Sequence, residues 1–561
     1  MLDIVVDSRL ENFPILEKMR CHAGRLLDAW LWKSHLAPAF PLIVCLVGGT
    51  GTGKSTLFNS LAMSPISDVG RKRPCTLRPK ILVHEDVVPD LQACPFLRPM
   101  IDAMRSTGCA DEVIVAHRDP DTAGVVLVDT PDFDSVELEH RRMSEDFFLI
   151  SDVIIFVTSQ EKYADLAGHQ VSEQALHWGK LTLFVMNKTS SDAAYEDFGT
   201  KLRELGHAAE PIRIERVDSF PVLLPGLRDR REFSVLFTPR HHQDHDDVRT
   251  RELANLQTRT SAALEELENA VKDEARRIST VIARINGLFS EVAREMDARL
   301  DAILSQDVEG RVRDRLQELL RKYDILFVPR SMVRKAFQKL FSTIVDILTN
   351  GARARQEDAE RAMRSEDLHA ARAAVRLEPV EAAVATLNLK IAELLCSDAA
   401  WDDLCKIAGS DVQRWDRGQI AALYDDAFPG VERLLEEEFQ RIRDGLSTSD
   451  QVKLYGSYTL WALLLITVEV VVGGGLTLLD AVLGTVIVPF IPKWVLDLKV
   501  IDMLRDIGKR VDGEHRKALR GIVEQQAKQY VAVFSGLVPD EAGIRSLRKV
   551  RPETGVATRS R

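Results

Sequence analysis

The chain has 561 residues, 45% of them apolar and 28% charged, which excludes wholesale disorder and leaves room for several domain-sized units. Gly 31 and Pro 22 are too few for a collagen-like or linker-dominated chain, and 6% aromatics is low for an all-β sandwich. A mean hydropathy of −0.10 excludes a polytopic transporter but not one short membrane segment, and a net charge of −11 gives nucleic acid no bulk attraction, so no nucleic-acid partner is expected.

Residues 1–40 carry a helical stripe (Ile15, Met19, His22, Leu26, Trp30) that cannot stay wet and is expected to dock on a later, stalk helix. Asp3 and Asp7 and the lack of an early apolar run argue against a secretory signal peptide. The seven cysteines form no C-x-x-C pair, so neither a disulfide framework nor structural zinc is expected.

Residues 41–240 read as an α/β domain with a mostly parallel sheet. Its apolar runs, Leu42–Val47, Ile81–Val83, Val113–Val115, Val125–Val128, Val153–Val157 and Leu181–Met186, are continuous rather than alternating, as in strands buried on both faces. Residues 241–453 are rich in Ala, Leu, Glu and Arg, and a helical stripe runs from Leu253 to Ile303, which suits a long α-helical bundle or coiled-coil-like stalk. The His241 to Asp247 stretch could bind metal, but a polar linker is the better reading.

Residues 454–494 are apolar almost throughout. Gly473-Gly474-Gly475 divides them into two arms of 19 residues, Leu454–Val472 and Leu476–Trp494. Each arm is about 28 Å of helix, close to one hydrocarbon core. Lys453, Lys493 and Lys499 stand at the base, and Glu469 and Asp480 fall near the turn at matching depth. This predicts a hydrophobic helical hairpin entering a membrane with both ends on the cytoplasmic, positive-inside face. A buried hairpin in a soluble stalk is the competing reading. Residues 497–536 return to amphipathic helix, and 537–561 form a basic tail expected to fray or to touch anionic lipid.

The sharpest signal is Gly48-Gly49-Thr50-Gly51-Thr52-Gly53-Lys54-Ser55, a full G-x-x-x-x-G-K-[ST] loop with a strand before it and a helix after, the latter beginning near Lys54 and continuing through Thr56. Glycines let successive N–H groups point at phosphate oxygens, and the helix N-terminus adds its positive dipole end. Lys54 places an ammonium on the β- and γ-phosphates, and the Ser55 hydroxyl suits Mg²⁺. Asp129, ending the Val125–Val128 strand in Asp129-Thr130-Pro131-Asp132, is placed to hold Mg²⁺ through a water; Thr76 lies where a loop hydroxyl would complete that coordination and fix an attacking water. Asn187-Lys188 ends the Leu181–Met186 strand where a guanine-reading N-K-x-D motif would sit. The expected aspartate position holds Ser190, so either Asp192 reaches across or guanine specificity is relaxed.

With these residues in this order, the chain resembles a P-loop GTPase of the dynamin-like group, particularly the bacterial members with a helical stalk and a hydrophobic hairpin. The resemblance covers about 41–220: it is specific at 48–56, good from Asp129 to Ser135, partial at 187–192, and includes Arg73-Pro74-Cys75-Thr76 as a first-switch string. It implies GTP as substrate, Mg²⁺ as cofactor, hydrolysis to GDP and phosphate, self-association through the GTPase domain or stalk, and membrane remodelling at the cytoplasmic face of a bacterial inner membrane. Asp132 departs from the usual switch-two glycine, and Gly51 stands where dynamins carry a serine, so slow hydrolysis is expected. An ATP-binding or weakly hydrolysing nucleotide-dependent scaffold, or a soluble ribosome-linked regulator, are the rival readings.

Overall fold

The computed structural model describes residues 13–37, 40–69, 79–99, 101–102, 113–132, 138–217, 221–237, 242–302, 375–445, 463–472, 500–539 and 541–552, with single positions at 314, 461, 479 and 483. They divide into two compact units: residues 1–273 with 539–561, and residues 274–538.

The first unit is built on seven strands: β1 (Leu42–Gly48), β2 (Lys80–His84), β3 (Ile114–His117), β4 (Val125–Asp129), β5 (Val153–Ser159), β6 (Leu181–Thr189) and β7 (Ile212–Glu215). Their spatial order is β3-β2-β4-β1-β5-β6-β7, parallel throughout except where β2 meets β4. β1, β4 and β5 are buried along their whole length, as their unbroken apolar runs require of central strands covered on both faces. β7 was not among the expected strands: it is a four-residue edge strand in which Ile212 and Ile214 alternate with Arg213 and Glu215, so it presents no apolar run.

Helices cover both faces. On one, α1 (Pro14–His35) and α3 (Leu138–Ile150) send Leu26, Trp32, Phe147 and Phe148 against β1, β4, β5 and β6. On the other, α2 (Lys54–Ala62) contributes Leu57 and Phe58, and a later helix, Arg231–Phe237, contributes Phe233 and Phe237. α4 (Leu166–His177) and α5 (Asp192–Glu204) complete the layers, and Arg231–Phe237 is α6.

α1 does meet a later helix, since Thr260 Oγ1 donates to the Leu26 carbonyl at 3.2 Å, but much of its buried face enters the sheet domain instead. Trp32 Nε1 donates to the Asp90 carbonyl at 3.3 Å, and Lys33 Nζ donates to the Ile150 carbonyl at 2.9 Å and to the Asp152 carboxylate. That carboxylate also accepts from the Ile43 N–H at 2.8 Å, so α1 is tied to the start of β1 through one buried acid.

Thr260 belongs to α7 (His242–Ala302), whose 61 residues are contributed to both units. Within the first unit, Glu252 of α7 forms a buried ion pair with Lys180, which also donates to the Leu149 and Ser151 carbonyls at 3.1 and 2.6 Å. The basic tail is not frayed where it is described. Residues Glu541–Val550 are helical, Arg548 donates to Glu268 at 2.7 Å, and Arg551 reaches Ser261 at 2.8 Å and Glu265 at 2.5 Å. Acids on α7 thus pair with two of the tail's basic side chains, Arg548 and Arg551.

The second unit is helical: the rest of α7, α8 (Glu378–Cys396), α9 (Asp402–Asp411), α10 (Arg417–Ala427), α11 (Pro429–Gly445) and α12 (Val500–Leu537). The tail helix Glu541–Val550 is α13. Tyr530 of α12 donates to Asn388 of α8 at 3.0 Å, and Lys390 of α8 bonds Glu291 and Glu295 of α7 at 3.0 Å each. Contrary to the expectation of no disulfide, Cys396 and Cys405 are bonded, with Cα atoms 6.0 Å apart. The turn between α8 and α9 folds the chain back to bring them together, which spacing alone does not reveal.

Most of the expected membrane hairpin, 454–494, lies outside the described residues. Its described part, 463–472, is helical, and every residue but Glu469 is buried. Trp461 meets Phe439 of α11 edge-on at 5.3 Å between ring centroids, and a Cβ built at Gly508 of α12 would fall 3.6 Å from both Thr467 and Val471 and 2.2 Å from Leu479. These side chains pack on protein. Among the described residues no helix is long and apolar enough to cross a membrane, so the transmembrane expectation gains no support. Hydropathy does not distinguish a helix buried in lipid from one buried in a helical bundle.

Candidate functional site

β1 ends at Gly48, where a side chain would strike the Val157 carbonyl oxygen of β5 at 2.2 Å; the loop must leave the sheet at a residue without a Cβ. The chain then turns through Gly51 (φ 75°) and Gly53 (φ 97°), and Gly53 caps α2 in the left-handed conformation. A Cβ at Gly53 would lie 2.2 Å from Asn187 Nδ2. Thr52 closes the turn by donating from its hydroxyl to the Gly49 carbonyl at 2.9 Å. The result is a loop that leaves the C-terminal end of β1, lies against the ends of β5 and β6, and opens onto the N-terminus of α2, as anion binding requires.

Lys54 and Ser55 begin α2. Lys54 is buried, and Nζ donates to the Gly48 carbonyl at 2.8 Å, to the Gly49 carbonyl at 3.3 Å and to the Asp132 carboxylate. Thr50 lies in the turn, and Thr56 faces away from it, its hydroxyl donating to the Pro221 carbonyl at 3.4 Å.

Asp129, at the end of β4 beside Leu46 of β1, is fully buried. Its Oδ2 accepts from Ser67 Oγ at 2.7 Å, while Oδ1 has no hydrogen-bond partner. Burial pushes its carboxyl above the usual range, against the opposing pull of Lys54, Ser67 and Ser55. A buried carboxylate with an unpartnered oxygen, set beside a serine hydroxyl, fits the outer shell of a hard divalent cation such as Mg²⁺. Among the described residues no three His, Cys, Asp or Glu side chains are arranged to hold a metal ion by themselves, so a metal here needs phosphate oxygens and water as well. The Arg73-Pro74-Cys75-Thr76 string lies outside the described residues, as does the chain over 133–137.

On the far side, Asn187 and Lys188 of β6 lean onto the loop. Asn187 Nδ2 donates to the Thr52 carbonyl at 2.9 Å, Lys188 Nζ donates to the Gly51 carbonyl at 2.6 Å, and Lys188 sits at φ 58°. Asp192 does not reach across: it begins α5, is exposed and pairs with Arg213 of β7. Ser190 instead faces Gln160, whose Oε1 accepts from the Ser190 N–H at 2.8 Å, the Ser190 hydroxyl at 3.1 Å and the Ser191 N–H at 3.2 Å.

Two further residues, Ser67 and Gln160, belong to the site without any motif to mark them. Ser67 is held at Asp129 because Asn59 Oδ1 accepts from the Ile66 and Ser67 N–H groups at 3.0 and 2.7 Å, and Asn59 Nδ2 donates back to the Ser67 carbonyl at 2.8 Å. Gln160 follows β5 in a turn. Nothing local in the sequence points to either; Asn59, which holds Ser67, is fully buried in the structure.

Residues 43–188 match the family model for a 50S ribosome-binding GTPase (MMR_HSR1), a stretch well short of half the chain. The fold and the loop together define a P-loop GTPase domain, followed by a long helical region. Two solved structures of an oligomerised bacterial dynamin pair, described as sensing and tethering membranes at long range, are similar to the chain. One is 12% identical with a TM-score of 0.37, covering 97% of this chain and 92% of that one. The other is 14% identical with a TM-score of 0.26, covering 62% and 67%. No curated protein matches the chain.

Proposed function

We propose that the chain binds GTP and GDP at the loop Gly48–Ser55 and hydrolyses GTP slowly, with its nucleotide state passed through α7 to the helical unit. The observation that carries this reading is the convergence on one loop of Lys54, the Asn187-Lys188 pair and the buried Asp129. Main-chain amides of Gly49 to Ser55 take the α- and β-phosphates, and Lys54 neutralises the β- and γ-phosphates. Ser55 and Asp129, with Thr76, are the residues to hold Mg²⁺, which when bound supplies charge neutralisation across the phosphates. Thr76 is also the proposed orienter of the attacking water. Asn187 and Lys188 fix the loop and border the base. The dynamin-like sequence resemblance supports self-association and a membrane role at the cytoplasmic face of a bacterial inner membrane, with 454–494 as the candidate anchor to be tested.

Calorimetry with GTP, GDP and ATP on wild type and Lys54→Ala tests the site. Binding of guanine nucleotides that Lys54→Ala abolishes is expected; undiminished binding in the variant overturns the assignment. Liposome flotation of wild type and a 454–494 deletion, with GTP, GDP and no nucleotide, tests the membrane role. Flotation that survives the deletion sinks the hairpin as anchor.

A second reading, an ATP-binding or weakly hydrolysing nucleotide-dependent scaffold, is favoured by one observation. The acid nearest the base-reading position, Asp192, is held by Arg213. Equal or tighter ATP binding in the same calorimetry selects it.

A further inference from the structure

An ammonium group has three protons to donate. Those of Lys54 go to the Gly48 carbonyl at 2.8 Å, the Gly49 carbonyl at 3.3 Å and Asp132 Oδ1. The first two acceptors belong to the loop itself. The third is a carboxylate standing where the switch-two motif of this class usually has glycine. Both side chains are buried, 4% exposed for Lys54 and 11% for Asp132, so water and salt screen the pair weakly. Asp132 is held there from behind: its neighbour Thr130 donates from its hydroxyl to the Leu46 carbonyl at 2.7 Å, and the Pro131 carbonyl accepts from Ser144 Oγ at 2.9 Å.

A P-loop lysine reaches the β- and γ-phosphates, while the loop amides hold the α- and β-phosphates. A diphosphate can therefore fill the amide cradle without contesting the direction occupied by Asp132. A terminal phosphate cannot: it brings further negative charge to an ammonium already paired with a carboxylate, inside a poorly screened pocket. Glycine at this position would leave that direction open and offer only an N–H.

We propose that Asp132 is a built-in competitor for the terminal phosphate, so that the resting site selects a nucleoside diphosphate over the triphosphate. Asp132 is thus a specificity-determining residue, and triphosphate loading requires its carboxylate to leave Lys54. This rests on the nucleotide-binding reading above.

The test uses the full chain with Mg²⁺, fluorescent GDP and a non-hydrolysable GTP analogue, on wild type, Asp132→Asn and Asp132→Gly. Asn keeps the size of the side chain and removes its charge, so it decides the matter if the glycine variant folds poorly. Wild type is expected to bind GDP more tightly than the analogue, and the ratio of analogue to GDP affinity is expected to rise at least threefold in Asp132→Asn. A smaller rise, or a wild type that already prefers the analogue, overturns the role of Asp132 while leaving the nucleotide site standing. Wild type that binds neither ligand removes the site itself, and this inference with it.

Discussion

Asn187 and Thr52, 135 residues apart in sequence, meet in one hydrogen bond: the Asn187 side-chain amide donates to the Thr52 carbonyl at 2.9 Å. That bond joins the end of β6 to the phosphate loop, and Gly53 is the residue that lets it form. A Cβ at Gly53 would sit 2.2 Å from Asn187 Nδ2, on a backbone already at φ 97°. Gly53→Ala is expected to add about 1–2 kcal/mol of left-handed strain and to push Asn187 off the loop, weakening GDP binding roughly tenfold or more. Isothermal titration of the variant checks this; an affinity within a factor of two of wild type would show the loop tolerates the Cβ.

Base choice is expected to respond to Ser190. A carboxylate accepts both N–H donors on the guanine edge, which a hydroxyl cannot, and charged hydrogen bonds contribute about 1.5–3 kcal/mol. Ser190→Asp should raise the preference for GDP over ADP by roughly tenfold or more, read by competition titration. Gln160, whose Oε1 now accepts from Ser190, has to turn its amide toward the new carboxylate. No change in preference would mean the base does not reach this loop.

The Lys180–Glu252 pair is a buried link between the residue that precedes β6 and α7 within the first unit. Removing one member leaves the other charge buried and is expected to cost about 3–5 kcal/mol, whereas replacing both by apolar side chains is expected to cost much less. Glu252→Ala should therefore lower thermal stability sharply and Lys180→Met/Glu252→Leu should recover most of it. Equal losses in the single and double variants would show that the pair's charges are not what matters.

His515 of α12 is buried with its Nδ1 against the Tyr424 hydroxyl at 2.7 Å, and burial lowers its pKa to about 4. Between about 4 and the ordinary histidine value near 6.5 the unfolded chain binds a proton that the folded chain does not. Stability from this group is thus full above about 6.5 and falls as pH drops toward 4, by on the order of 3 kcal/mol in all. Urea denaturation at pH 4.5 and 7 on wild type and His515→Gln is the check. The variant should lose part of the wild-type pH dependence, and identical slopes would refute the assignment.

How much of this was legible differs from element to element. The six apolar runs from Leu42 to Met186 became β1 to β6; for β1, β4 and β5 the reason is that a strand covered on both faces has to be apolar at every position, a pattern local to each segment. β7 was not legible, since one covered edge strand of four residues leaves only alternation. The loop's place between β1 and α2 was legible, because a tight turn that exposes successive N–H groups demands glycines in a row. Ser67 at Asp129, Gln160 at Ser190 and Asp192 on Arg213 were not, since each is a contact between segments remote in sequence.

By itself, the sequence determined that a phosphate loop stands between a buried strand and a helix, that α/β gives way to long helices, and that an apolar stretch follows. Those properties are written in runs and spacings that act over a few residues. Only the tertiary structure decided that Asp132 takes the third proton of Lys54, that acids on α7 pair with Arg548 and Arg551, and that residues 463–472 are covered by protein. Charge pairing and burial depend on which distant segment arrives, and composition alone does not say what a greasy or charged surface will meet.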